Sequence, residues 1–151
     1  MSYTAKEVAK WFLNYNQYEQ KVYGDTEYIS DFKLQKLLYY AYGAYLAIYD
    51  QRLFDEPIQA GQHGPFVQSV YEAYKHFGLK GITEFEPLQE VFSEQAQSVL
   101  QWVYENFGQY TAWALRNMTH AEDPWQEAIA NSAMSDAVIV AFFQRNYVEV
   151  V

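Results

Sequence analysis

Apolar residues along the chain recur mostly at helical spacing. Val8, Ala9, Phe12 and Leu13 open the series. Thr4 precedes them as a helix cap, with Glu7 three residues on in the spacing of a capping box and Tyr3 and Val8 placed for a hydrophobic staple. The polar turn Gly24–Glu27 closes this segment. Ser30 caps a second helix carrying Leu34, Leu37, Leu38, Ala41, Tyr45, Ile48 and Tyr49, with Tyr39, Tyr40 and Leu46 on its other faces. A helix that is apolar nearly all round belongs at the centre of a domain.

Past Asp50 the periodicity breaks. Pro57 and Gly64-Pro65 are turn signals, and Ile58–Gln62 reads as a short strand. Pro65 is expected at the first position of a third helix, where its missing N–H costs nothing. That helix buries Val67, Val70, Tyr71 and Tyr74 and stops at Gly78. Gly81–Pro87 reads as a loop or short strand. Ser93 caps a fourth helix with the stripe Ala96, Val99, Leu100, Val103, Tyr104 and Phe107, followed by Gly108. Thr111 opens a short fifth helix through Met118. Asp123-Pro124 opens a sixth, with Asp123 as its cap and Gln126 three residues on. Ser135 caps a seventh from Asp136 to about Arg145, and the tail Tyr147–Val151 reads as a short strand. The pattern predicts a mainly α fold, a compact bundle of about seven helices with room for a small β-hairpin, and one domain over residues 1–151.

Composition narrows the function. The chain has no cysteine, which removes disulfides, thiolate zinc sites and a cysteine nucleophile. A net charge of −9 and the lack of any basic run disfavour nucleic-acid binding, which depends on Lys and Arg displacing counterions. The same charge steers a basic protein partner inward. The start of the chain lacks a secretory pattern, and the uncharged run Leu37–Tyr49 falls short of the roughly 20 apolar residues of a membrane span. A cytoplasmic protein is expected, without membrane contact. With 15 Tyr, 10 Phe and 4 Trp, the aromatic residues are expected mainly in the core, and some on the surface as interface anchors.

The chemistry-bearing residues support no enzyme class strongly. Ser30, Ser93 and Ser135 sit where caps are wanted, and no nucleophile-elbow pattern surrounds them. The glycines form neither a phosphate loop nor a dinucleotide fingerprint, so no cofactor is expected. The best local candidate for a metal or hydrolytic site is His120 with Glu122 and Asp123, set against a cap and turn as the alternative. Lys33, Lys36 and Arg52 read as a solvated face or a small basic patch.

The order of motifs carries more. Thr4-Ala5, Val8-Ala9 and Phe12-Leu13 lead to Ile29-Ser30 and then to Lys33-Leu34-Gln35-Lys36-Leu37-Leu38-Tyr39-Tyr40-Ala41. Leu53-Phe54, Ile58 and Ala60 follow, then His63-Gly64-Pro65-Phe66-Val67 and Val70-Tyr71. Leu115 leads to Thr119-His120-Ala121-Glu122-Asp123-Pro124-Trp125. This series resembles the Panacea, or SocA-like antitoxin, domain family over nearly the whole chain. It departs at Tyr42, where the family commonly has Gln, at Gly61, where Trp is common, and at Phe66, where Val is common. The resemblance implies an antitoxin that neutralises the protein toxin of a bacterial or prophage toxin–antitoxin pair by direct binding. It also leaves room for an adaptor that engages a cellular protease or another host protein. The chain is short for the extra DNA-binding domain that many relatives carry. Lys33, Gln35, Lys36, Tyr39, Tyr40, His63, Gly64, Pro65, Thr119, His120, Asp123, Pro124 and Trp125 are the candidate site residues, serving either as structural caps and turns or as toxin contacts.

Overall fold

The structure is a computed structural model, and residues 2–148 are the residues it describes. Helix α1 runs Ala5–Tyr23, α2 Asp31–Tyr49, α3 Gln68–Tyr74, α4 Glu94–Phe107, α5 Ala112–His120, α6 Asp123–Gln126 and α7 Asp136–Asn146. Strands β1 (Gln59–Gly61) and β2 (Gly64–Phe66) form an antiparallel hairpin. The described residues are therefore mainly α with one small sheet, as the hydrophobic pattern predicts. Thr4, Ser30, Ser93, Thr111 and Ser135 each accept a hydrogen bond from the amide three residues on. These local bonds satisfy helix-end donors and fix where five of the helices start.

Helix α2 is the centre, packed against α1, α3, α4, α5, α7 and β2. Its residues from Leu34 to Leu46 are all buried. Ile48 is an exception to the predicted stripe, since the helix emerges into solvent there. Gly43 decides how closely α7 approaches. A Cβ at that position would lie 2.3 Å from the Phe143 ring, so the ring presses directly on the α2 backbone. Phe143 is fully buried against Tyr39, Tyr40 and Tyr147, worth about 1.5–3 kcal/mol of apolar transfer.

Several local expectations are corrected. The capping box is half formed: Thr4 caps Glu7, but the Glu7 carboxylate turns to Lys10, and the Ala5 amide donates to Glu56 instead. Tyr3 packs on Phe92, with ring centroids 4.4 Å apart, and its hydroxyl accepts from the Ser93 amide. Pro65 lies in β2 opposite Ala60, not at a helix start. Ala60 sends its N–H to the Ser132 carbonyl (2.9 Å) and receives the Asn131 amide on its own carbonyl (2.8 Å). Nothing is therefore asked of an N–H at the facing position, the kind of strand site where proline is tolerated. Tyr71 is exposed, whereas Val67, Val70 and Tyr74 are buried. Helix α5 continues to His120, and α6 is a single turn. Glu122 occupies the α6 cap position without making a side-chain cap, while Asp123 pairs with Arg145 at 2.7 Å. Tyr147 and Val148 follow α7 as turn and coil, and the rest of the expected final strand lies outside the described residues.

The turn between α5 and α6 is anchored by Glu122. Its carboxylate is buried and accepts hydroxyl hydrogen bonds from Tyr39 (2.8 Å), Tyr40 (3.0 Å) and Tyr147 (2.5 Å). Burial pushes its pKa upward, and the three hydroxyl donors pull against that shift. One carboxylate thus ties α2, the α5–α6 turn and the end of α7 together. Glu122→Ala is expected to orphan these hydroxyls and cost about 3 kcal/mol or more. Thermal unfolding should show Tm lowered by roughly 6–12 °C, on the scaling for chains of this size.

Candidate functional site

The candidate site lies where the start of α2, the hairpin and the C-terminal half of α5 meet. The hairpin turn places His63 outside and Gly64 against α2. Gly64 has φ +109, a conformation that side chains rarely adopt, and a Cβ there would stand 3.0 Å from both Lys36 Cε and Thr119 Oγ1. Gln35 braces the strand exit: its Oε1 accepts the Val67 amide (2.8 Å) and its Nε2 donates to Asp31 (3.1 Å). From the other side, Trp125 donates its indole N–H to the Gly61 carbonyl (2.8 Å) and stacks on His120, with centroids 3.9 Å apart. Thr119 donates to the Arg116 carbonyl and presents its side chain to Gly64.

The hairpin and the start of α2 border an open cavity of about 450 Å³. Phe32, Lys36, His63, Phe66 and Tyr71 line it. Around it the aromatic surface continues onto the exposed Trp113, whose ring lies 6.4 Å from Phe32. Leu79, also exposed, borders the opposite side.

Lys36 is the unusual group. It is 2% exposed, and its ammonium sits 3.9 Å from the centre of the Phe32 ring. Among the described residues no carboxylate pairs with it within ion-pair distance. Desolvation depresses its pKa to about 7, with Asp31 opposing the shift and Arg116 adding to it. Asp31, buried one turn earlier, is pushed up to about 6 by desolvation, against the pull of Gln35 and Lys36. His120 is lowered by burial, then by Arg116 and Lys36; the Gln62 backbone works the other way, and His63 adds to the lowering.

The candidate residues thus divide. Gln35, Lys36, His63, Gly64, Thr119, His120 and Trp125 come together around the hairpin. Pro65 and Pro124 shape the backbone beside it, and Tyr39 and Tyr40 act from below through Glu122. Lys33 points elsewhere and donates to the Gly108 carbonyl at the end of α4. Arg52 pairs with Asp136, so Lys33, Lys36 and Arg52 form no patch. The triad of His120, Glu122 and Asp123 does not assemble, because the three side chains go to Trp125, to the tyrosines and to Arg145. No group of three or more His, Asp or Glu able to hold a metal occurs among the described residues. Asp31, Phe32, Tyr71, Trp113 and Arg116 escaped the sequence reading as site residues. Apart from Tyr71 they lie outside the motif series, and only the fold brings Asp31, Phe32 and Tyr71 to the cavity and sets Trp113 and Arg116 beside it.

Residues 34–126 match the family described as antitoxin SocA-like, Panacea domain. This span is more than half of the chain, and the chain belongs to that family. No curated protein and no solved structure matches it. The matched span contains the hairpin, the α5–α6 corner and most of the Lys36 cavity, whose Asp31, Phe32 and Asn131 lie outside it. Two of the departures noted above touch each other: a Cβ at Gly61 would meet the Phe66 ring at 2.7 Å, so the small residue makes room for the large one.

The cavity makes the lysine costly to the fold. A lysine depressed from 10.5 to about 7 binds fewer protons folded than unfolded across that interval, so its penalty is full below pH 7 and fades as pH rises toward 10.5. Lys36→Met is expected to raise stability most at pH 6 and to lose much of that advantage by pH 10. Urea unfolding of both proteins at the two pH values measures this. Gly64→Ala should instead destabilise, by about 1–3 kcal/mol, through the strained φ and the collision with Lys36 and Thr119. Its urea midpoint against that of the parent gives the size of the loss.

Proposed function

We propose that this chain is an antitoxin that neutralises a cognate protein toxin, of a bacterial or prophage toxin–antitoxin pair, by direct binding through the face around the hairpin cavity. It acts by occupying the toxin's surface, without turnover. The observation that carries the reading is the family match over a span whose motif residues Gln35, Lys36, His63 and Gly64 line one open, aromatic-rimmed cavity. Membership of an antitoxin family supports a protein partner. Exposed Trp113 and Tyr71, 58% and 43% accessible, are the residue types that anchor protein interfaces. The acidic surface beyond the cavity favours approach of a basic toxin. No helix among the described residues is long and apolar enough to cross a membrane.

Co-expression with the product of the adjacent gene tests this. That product should arrest growth alone, be tolerated with this chain, and co-purify with it. The double variant Trp113→Ala, Tyr71→Ala should retain its fold and weaken the complex by a factor of ten or more, the scale of an interface hot spot. A harmless neighbour that forms no complex would refute the antitoxin reading.

A further inference from the structure

The cavity holds a buried lysine without an ion-pair partner, in a chain of net charge −9. Lys36 from α2, His63 from the hairpin, and Arg116 and His120 from α5 act on one another electrostatically. None of the four forms an ion pair among the described residues. Two of their nitrogens, Arg116 Nε and His120 Nε2, are buried without any hydrogen-bond partner. Arg116 lies over the Trp113 ring, 4.6 Å from its centroid, and bonds only to Asn117 through its other nitrogens. Buried polar nitrogens left without partners cost stability, and a buried lysine without a counter-charge costs more. The one carboxylate at the cavity, Asp31, is held by Gln35 and is itself disfavoured in its charged form. Lys75 at the rim is already paired with Glu72.

We propose that this cluster is an anion-receiving socket, which takes the carboxylate of an Asp or Glu side chain projecting from the bound protein partner. The ammonium of Lys36, which lines the cavity, supplies its hydrogen bonds, and the Arg116 charge that acts on Lys36 adds positive field from beside it. Phe32, Phe66 and Tyr71 pack against the apolar stem. Charge complementarity selects the occupant: the socket lacks one negative charge, while the acidic molecule around it repels free polyanions. A single carboxylate delivered on a docked chain meets both conditions. The site also disfavours partners that lack the acid, which leave the Lys36 ammonium uncompensated beneath them.

This inference rests on the antitoxin reading for the partner, and two arms separate the two. In the first, the isolated protein is titrated with the capped peptide acetyl-Leu-Glu-Leu-amide, with its Gln counterpart, and with inorganic phosphate, following the Gly64 amide and His120 ring signals by NMR. Asp31 and Arg116 act on Lys36, Lys36 acts on His120, and His63 lines the same cavity, so each titration is run at pH 6.5 and 8.5 on the parent, Lys36→Met and Arg116→Gln. The Glu peptide should bind at least about tenfold more tightly than the Gln peptide at pH 6.5. It should weaken toward pH 8.5 as Lys36 loses its proton, and it should lose this preference in both variants. Equal binding of the Glu and Gln peptides, binding of neither, or tighter binding of phosphate overturns the socket. In the second arm, the complex with the adjacent gene product is measured with the same variants. A complex that forms normally and is indifferent to Lys36→Met and Arg116→Gln overturns the socket and leaves the antitoxin reading standing. If the parent forms no complex at all, the antitoxin reading fails, and the peptide arm alone decides the site.

Discussion

Glu122 holds the arrangement together. A carboxylate in the interior is tolerated only when its lone pairs are filled, and here three tyrosine hydroxyls from two separate parts of the chain fill them. The bond set cannot form unless α2 is central, α7 has turned back along it and the α5–α6 corner sits over both. It also fixes the height of that corner above the hairpin. Thr119, His120 and Trp125 then reach Gly64 and Gly61. A network of this kind is strict because partial satisfaction costs more than none.

Above this anchor the requirements reverse. The cavity keeps a desolvated lysine and a buried carboxylate pushed toward neutrality, with the unpartnered Arg116 and His120 nitrogens on the helix beside it. None of these helps the chain fold. Strain concentrated at one surface, with well-satisfied caps and a well-packed core elsewhere, is the distribution found where binding has been favoured over stability. The glycines follow the same division. Gly43 lets two helices approach for packing, whereas Gly64 takes a disfavoured backbone conformation so that the hairpin clears Lys36.

Local rules were legible in the residues. Five caps, the central helix and the first strand of the hairpin follow from spacing and residue type. Pro65 was misread because proline suits both a helix start and an unpaired strand position, and only the bonds from Ala60 to the segment at 131–132 separate the two. Tyr71 was misread because helical spacing reports a face and not what covers it. The His120, Glu122 and Asp123 run reads as one chemical group in sequence. A single helical turn aims the three side chains in different directions, so they serve three separate contacts.

By itself, the sequence determined the helical segments, most of their starting points, the acidic surface and the kinship with an antitoxin family. Those depend on neighbours within a few residues, or on the order of motifs. Tertiary structure alone decided that Lys36 is buried without a counter-charge, that Arg116 and His120 stand beside it, and that Lys33 does not. Charge environment depends on which surfaces meet across long stretches of chain, and helical periodicity carries no record of the partner on the other side.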